Sequence, residues 1–180
     1  MKKLFTPLVA LLLVFSLGSC DKAKELFDVD FDATLETENM TISPPLGKDL
    51  RTSGYEFLVS NKINPLGNTD IKKYLDKIKN WDINAIEVEV VSISESGTYL
   101  KAGTKLEMKS SKHSAMSIFT EDTPIHAGYK YKVPSSEHSK VEAILNDKEE
   151  FDVTFTGGLN NNATVIMKVM IDVTITANPL

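Results

Sequence analysis

The feature that most constrains the fold of this chain is a recurring alternation of apolar and polar residues. In residues 165–175 every second residue is apolar, and residues 27–35, 86–90 and 151–155 show the same period. Side chains that alternate with a period of two lie on opposite faces of a β-strand, one buried and one solvated. With shorter stretches, among them residues 55–59 and the pair Met116 and Ile118, the pattern predicts about seven to nine strands. The last is the longest, and we expect it to lie centrally in its sheet.

Two segments depart from this period and predict short helices. Asn68 or Thr69 is expected to cap the first. Its apolar residues share one helix face at spacings of three and four: Ile71, Tyr74, Leu75 and Ile78. Ser135 or Ser136 is expected to cap a second, more weakly patterned helix. Its narrow apolar stripe consists of Val141, Ile144 and Leu145.

Many short strands with one or two inserted helices predict a mainly β fold. We expect a single domain over residues 27–180, an antiparallel β-sandwich of immunoglobulin-like type. Its final two strands are expected to form a hairpin through a turn at residues 157–162. The chain has one Cys, so the inter-sheet disulfide of true immunoglobulin domains is excluded. A closed barrel is the alternative arrangement.

The first twenty residues predict export and a lipid anchor. Lys2 and Lys3 precede an apolar run at residues 8–15, which is shorter than the roughly 20 residues of a membrane-spanning helix. Residues 1–19 are therefore expected to be a signal peptide. The tetrapeptide Leu-Gly-Ser-Cys that ends at Cys20 resembles the lipobox of bacterial lipoproteins. This resemblance implies that the Cys20 thiol takes a diacylglycerol and attaches the protein to a membrane.

The charge of the mature chain restricts its partners. The full chain has 20 Lys and Arg against 25 Asp and Glu, and loss of Lys2 and Lys3 leaves 18 against 25. So acidic a chain has no basic surface for nucleic acid, and it is not drawn to anionic lipid by its charge. Residues 20–26 are short and charged, so we expect them to form a tether between the lipid on Cys20 and the domain.

Several stretches taken together resemble one group of proteins. They are the lipobox, the acidic first strand at residues 27–32, residues 68–75 ahead of a strand rich in Glu and Val, and the closing pair of alternating strands. In this combination the chain resembles uncharacterised lipoproteins of Bacteroidetes-type bacteria. The resemblance implies a place in the cell envelope, with the outer membrane expected, and it implies no catalytic activity.

Three carboxylates at alternate positions, Asp28, Asp30 and Asp32, mimic the opening of a calcium-binding loop. Such a loop requires Gly at its sixth position and Glu at its twelfth. This chain has Ala33 and Asn39 there. The spacing therefore favours the solvated face of a strand. A weak cation site, completed by carbonyls of a neighbouring loop, is the alternative.

Four aromatic residues are candidates for ligand contact: Trp81, Tyr99, Tyr129 and Tyr131. Exposed rings on a sandwich can act as stacking platforms for sugars, and Tyr129 and Tyr131 are expected on one face of one strand. Packing in the core or at a sheet edge is the alternative, because aromatic residues favour strands for packing reasons alone.

The sequence contains no motif for catalysis, metal binding or a cofactor. His113, His126 and His138 lack the paired spacing of zinc ligands, and no G-x-S-x-G motif is present. We therefore expect a non-enzymatic envelope lipoprotein that acts as a binding or structural accessory module, with a glycan or an envelope protein as its partner. A carbohydrate-binding lipoprotein of a glycan-uptake system is the alternative. A hydrolase with a Ser beside one of the three His residues is a third hypothesis.

Overall fold

The computed structural model describes residues 28–43 and 55–178. Within them the chain forms eleven strands: β1 (Val29–Glu36), β2 (Met40–Ile42), β3 (Tyr55–Ile63), β4 (Ile78–Ile93), β5 (Tyr99–Leu100), β6 (Lys105–Lys109), β7 (Ser114–Ile118), β8 (Thr123–Pro124), β9 (Lys130–Lys132), β10 (Phe151–Leu159) and β11 (Val165–Ala177). The same ranges contain two α-helices, α1 (Thr69–Tyr74) and α2 (His138–Asn146), with short 3₁₀ turns at Pro65–Gly67, Leu75–Lys77 and Ser135–Glu137.

The strands form two antiparallel sheets. In sheet one the order is β1, β11, β4, β9, and β2 follows β1 along the same edge of β11. In sheet two, β10 lies between β3 on one side and β6 and β5 on the other, while β7 pairs with β6 and β8 with β5. Among the described residues no ladder joins the two sheets. The mainly β sandwich prediction is therefore confirmed, and the closed barrel is wrong.

One apolar core lies between the two sheets. Alternate residues of β11 are fully buried from Val165 to Ala177. The ring of Phe119, after β7, stacks on Tyr131 of β9 with centroids 4.1 Å apart and so joins sheet two to sheet one. The last strand is central in sheet one, as predicted. It is not the longest, because β4 has 16 residues and β11 has 13.

Both short helices contribute buried apolar residues to the core. Asn68 caps α1 by accepting the backbone N–H groups of Asp70 and Ile71. Helix α2 packs against β4 and β7, and its predicted stripe is buried: Val141, Ile144 and Leu145. The predicted serine cap of α2 is wrong. Ser135 and Ser136 lie in the preceding 3₁₀ turn, and Glu137 occupies the N-cap position of α2 without a side-chain hydrogen bond.

The first predicted helix extends too far. Its apolar spacing continues to Ile78, but α1 ends at Tyr74, and Ile78 is the first residue of β4, paired with Ala177 of β11. Pairing with a central strand provides backbone hydrogen bonds over the whole length of β4. A short isolated helix cannot match that gain, because helix nucleation is costly.

The predicted closing hairpin is also wrong. β10 belongs to sheet two and β11 to sheet one, so residues 160–164 cross between the sheets instead of forming a hairpin turn. In β7 the buried face is not the one that carries the large apolar side chains. Ala115 and Ser117 are buried, whereas Met116 and Ile118 are exposed. Local alternation indicates a strand but does not identify its partner or its buried side.

Candidate functional site

Strand β3 has one unpaired edge. It pairs with β10 along its whole length and with no other described strand. Lys62 donates its backbone N–H to Oδ1 of Asn61 at 2.7 Å, so this N–H points away from β10. Backbone groups alternate in direction along a strand. The N–H and C=O groups of Glu56, Leu58 and Ser60 therefore point away from β10 as well.

The pairing across sheet two supports this assignment. The register pairs β3 with β10, β10 with β6, and β6 with β7. When the alternating direction of the backbone groups is followed through these pairs, the N–H of Met116 points outward at the opposite edge of sheet two. Glu137 Oε2 accepts that N–H at 3.4 Å. The edge of β7 thus has a side-chain partner at its centre. By contrast, no residue in the described ranges bonds to the outward backbone groups of Glu56, Leu58 and Ser60.

A cleft of about 830 Å³ lies beside the first half of β3. Its walls include residues from β2, β3, the end of β10 and the loop at residues 101–104. Among them are Thr41, Ser43, Glu56, Leu58, Lys101 and Thr156. Leu58 is 69 % exposed. The cleft therefore presents hydroxyls, one acid, one base and an exposed leucine beside main-chain groups that no described residue binds. Such a surface suits an extended polypeptide, which can pair with β3 and place its side chains in the cleft.

A close backbone approach shapes one wall of this cleft. A Cβ built at Gly157 of β10 would lie 2.2 Å from Oγ1 of Thr104, so no other residue fits without a shift. Thr104 is buried and donates its hydroxyl to the carbonyl of Lys101 at 2.7 Å. The glycine therefore allows the loop at residues 101–104 to lie directly against β10.

Cys20, the predicted signal peptide and the predicted tether lie outside the described residues. The structure begins at Asp28. None of the helices in the described ranges is long and apolar enough to cross a membrane.

Trp81 is a core residue. It lies in β4, is 1 % exposed, and its Nε1 has no hydrogen-bond acceptor. A ring enclosed in this way presents no face to a ligand in solvent, so the platform prediction for Trp81 is wrong. Three irregularities of register between β4 and β11 interrupt the period of two. They explain why the sequence did not reveal the inward position of Trp81.

The three candidate tyrosines are partly buried and do not form one platform. Tyr99 belongs to β5 in sheet two, and Tyr131 lies in β9 of sheet one. The Tyr131 hydroxyl lies 3.0 Å from Oγ of Ser117, and its ring is covered by Phe119. Tyr129 contacts His126 edge to face, and burial raises the pKa of its phenol. Both rings pack against the core.

Trp81 is also distant from these tyrosines. Tyr131 pairs with Val88 of β4, which is seven positions along that strand from Trp81, or about 20 Å. The structure therefore does not bring the four aromatic candidates together.

The aspartates at the start of the chain each have a different partner. Asp28 pairs with Lys79 at 2.8 Å. Asp30 and Asp32 accept the hydroxyls of Thr176 and Thr174, each at 2.7 Å, across the β1–β11 ladder. In residues 28–43 and 55–178 no three His, Cys, Asp or Glu side chains are grouped closely enough to hold a metal ion. Among the described residues, the solvated strand face thus accounts for the spacing of the three aspartates.

One group of Ser, His and Asp side chains does assemble. Ser110 and His113, in the turn between β6 and β7, both contact Oδ2 of Asp147 at the end of α2, the imidazole through Nδ1 at 3.0 Å. In hydrolytic triads the His accepts the proton of the Ser hydroxyl. Here that hydroxyl donates to the carboxylate instead. The group therefore connects a turn to a helix, and its hydrogen bonds differ from those of a hydrolytic triad.

The other two histidines have no such neighbours. His126 contacts the carbonyl of Ala127 through Nδ1, and His138 is the first residue of α2. Neither has a Ser side chain within hydrogen-bonding distance among the described residues.

Comparison with known proteins adds no relative, since neither a protein-family model nor a curated protein sequence matches this chain. The free edge of β3 was not predicted. Residues 55–59 indicated a strand, but a strand at a sheet edge and one at its centre have the same local pattern. The strand itself was the available signal, and its exposure depends on residues far away in sequence.

Proposed function

We propose that this protein is a non-enzymatic lipoprotein of the bacterial envelope, held by lipid on Cys20, that binds an extended segment of a protein partner along the free edge of β3. The observation that carries the proposal is nine-residue β3, which has a cleft beside it and, among the described residues, a partner strand on one side only. An added strand continues sheet two through main-chain hydrogen bonds, and the cleft takes its side chains.

Most of the other sheet edges support the choice of β3, and the outer side of β4 at residues 78–85, which also has no described partner strand, is interrupted by two register irregularities. Proteins protect exposed edges against pairing by keeping them short, interrupting them, placing Pro in them or covering them. β9 has three residues, β8 has two with Pro124, and residues 37–39 interrupt the edge formed by β1 and β2. Glu137 covers the centre of β7. β3 is long, contains neither Pro nor Gly, and pairs with β10 without a bulge.

The lipid anchor rests on the Leu-Gly-Ser-Cys sequence that ends at Cys20. The non-enzymatic assignment is supported by the connection of Ser110, His113 and Asp147, which directs the serine proton to the carboxylate. Main-chain recognition of an extended segment needs no catalytic group.

A photo-crosslinking amino acid at Leu58 tests the binding site in native cells. Met116 provides a matched control because it is also an exposed apolar residue on the outer face of sheet two, at the opposite edge. We expect a discrete protein adduct from position 58 and none from position 116. Absence of adducts at position 58, or the same adducts at both, would contradict the proposed site.

Intact-mass analysis of the membrane-purified protein tests the anchor. We expect a chain that begins at Cys20 and carries a diacylglyceryl group, and a Cys20→Ala variant that is released or uncleaved. An unmodified mass would show that the lipobox interpretation is wrong.

A further inference from the structure

We propose that the partner of β3 is a second copy of this chain, whose own β3 pairs antiparallel across a two-fold axis to form one continuous sheet. The inference rests on the proposed function of the β3 edge and names its partner. It follows from the order of side chains and main-chain groups along that strand.

The outer side chains of β3 are self-complementary in one register. Alternate residues of β3 face outward: Glu56, Leu58, Ser60 and Lys62. With the Val59 residues of two copies opposite each other, Glu56 lies opposite Lys62 of the second copy, and Leu58 lies opposite Ser60 of the second copy. Opposite charges directly across an antiparallel pair are stabilising. The two-fold axis produces this charge pair twice.

The main-chain groups fit the same register. The N–H and C=O groups that point away from β10 belong to Glu56, Leu58, Ser60 and Lys62. In this register Leu58 and Ser60 of the second copy become a hydrogen-bonded pair. The two Val59 residues form the close, non-hydrogen-bonded pair between them. Pairing at Lys62 requires its N–H to leave Oδ1 of Asn61, whose amide also donates to the carbonyl of Glu38 at 3.3 Å.

Neighbouring two-fold registers lose the charge pairing. With Leu58 on the axis, Glu56 lies opposite Ser60, and Lys62 lies opposite position 54. With Ser60 on the axis, Glu56 lies opposite Asn64, and Lys62 lies opposite Leu58. Of these three registers, the one centred on Val59 therefore both places opposite charges across from each other and keeps the outward main-chain groups in hydrogen-bonded pairs.

Both charged side chains are accessible for this contact. Glu56 is exposed and has no salt-bridge partner among the described residues. Lys62 pairs with Glu150 at 2.7 Å, but its side chain is 60 % exposed. Leu58, at 69 % exposure, would be diagonal to Leu58 of the second copy, within reach of a long side chain. Dimerisation thus covers the most exposed of the large apolar side chains described.

The dimer is compatible with attachment to one membrane. A two-fold axis perpendicular to sheet two can be parallel to the membrane normal, which places the two chains symmetrically on the surface. The eight residue steps from Cys20 to Asp28 allow a separation of at most about 29 Å between the proposed lipid anchor and the start of the described residues.

Disulfide crosslinking of the membrane-anchored full chain tests the register. In a non-hydrogen-bonded antiparallel pair the Cα atoms are about 4.5 Å apart, which is within the range for a disulfide. We expect Val59→Cys to give a disulfide-linked dimer on mild oxidation. Leu58→Cys is the matched control, because its thiol lies opposite Ser60 of the second copy and not opposite itself. A dimer from Leu58→Cys and none from Val59→Cys would overturn the register.

Charge exchange provides a second test that leaves the buried residues unchanged. Glu56→Lys and Lys62→Glu each place like charges opposite one another twice, so each variant should dimerise about tenfold more weakly, or worse. A mixture of the two variants should regain dimerisation, because the mixed dimer contains two opposite-charge pairs. Sedimentation of the full chain in detergent measures these affinities. Equal affinities for all combinations would overturn the proposal.

The two proposals fail in different ways. If Leu58 crosslinks to a different protein while Val59→Cys stays monomeric, the β3 edge is a binding site but its partner is not a second copy. If neither position gives an adduct, the binding function of β3 is itself wrong.

Discussion

His113 and Asp147 meet across 34 residues of sequence, with Nδ1 of the imidazole 3.0 Å from Oδ2 of the carboxylate. The same carboxylate accepts the hydroxyl of Ser110, and its side chain is 5 % exposed. Asp147 thereby attaches the turn between β6 and β7 to the end of α2. The hydrogen bonds from Ser110 and His113 hold the pKa of Asp147 below its usual value.

This lowered pKa predicts a pH-dependent stability. Ionised Asp147 contributes stability above the pKa of an unfolded Asp, about 3.9. That contribution is lost as the pH falls through the lower pKa of the folded state. We expect Asp147→Asn to lower the free energy of unfolding by about 1–3 kcal/mol at pH 7, and the difference from the unsubstituted protein to decline at pH values below 3.9. Urea unfolding over a pH series measures it.

Asp152→Asn is the control for that series, because Asp152 is an exposed acid on β10. It should change the free energy of unfolding by less than about 0.5 kcal/mol. A deficit for Asp147→Asn that persists undiminished at the lowest pH would exclude the ionised carboxylate as its cause.

The contact between Gly157 and Thr104 predicts a steric cost. Gly157→Ala places a Cβ within 2.7 Å of the Cβ of Thr104, so β10 or the loop at residues 101–104 must shift. We expect a loss of about 1–3 kcal/mol in the free energy of unfolding. Gly67→Ala is the control, since nothing lies within 4 Å of its added Cβ. Equal stability of the two variants in chemical denaturation would refute the close approach.

The buried indole of Trp81 predicts an unequal pair of substitutions. Trp81→Ala should cost about 3–5 kcal/mol because it leaves a large cavity. Trp81→Phe should cost less, since it also removes a buried N–H that has no acceptor. Thermal unfolding compares the two. Equal losses would mean that the ring size and the unpaired N–H do not determine the stability at this site.

The separate partners of Asp28, Asp30 and Asp32 predict that calcium does not change the thermal stability of the protein. Carboxylates bonded to Lys79, Thr176 and Thr174 do not converge on a common point, so millimolar Ca²⁺ or EDTA should leave the unfolding midpoint unchanged. Differential scanning calorimetry measures this. A midpoint that rises with Ca²⁺ and no longer does so after Asp30→Asn and Asp32→Asn would establish a cation site.

Local pattern was enough to predict much of the secondary structure. Phe151, Val153 and Phe155 are buried as their alternation indicated, and the narrow stripe of α2 is buried as well. These results depend on the side-chain period of a single element. The candidate site was not predictable in the same way, because the exposure of Leu58 depends on the position of β3 beside β10, with no described strand on the other side of β3.

The sequence by itself determined where most strands lie, which faces of β10 and β11 are apolar, and the Leu-Gly-Ser-Cys pattern at Cys20 on which the anchor proposal rests. Tertiary structure alone decided that β10 and β11 belong to different sheets, that Trp81 is enclosed, that Asp147 joins Ser110 to His113, and that β3 is an edge strand among the described residues. The physical reason is the separation in sequence of the residues that determine each property. Alternation reflects the geometry of one strand, whereas pairing and burial depend on contacts between residues that only the folded chain brings together.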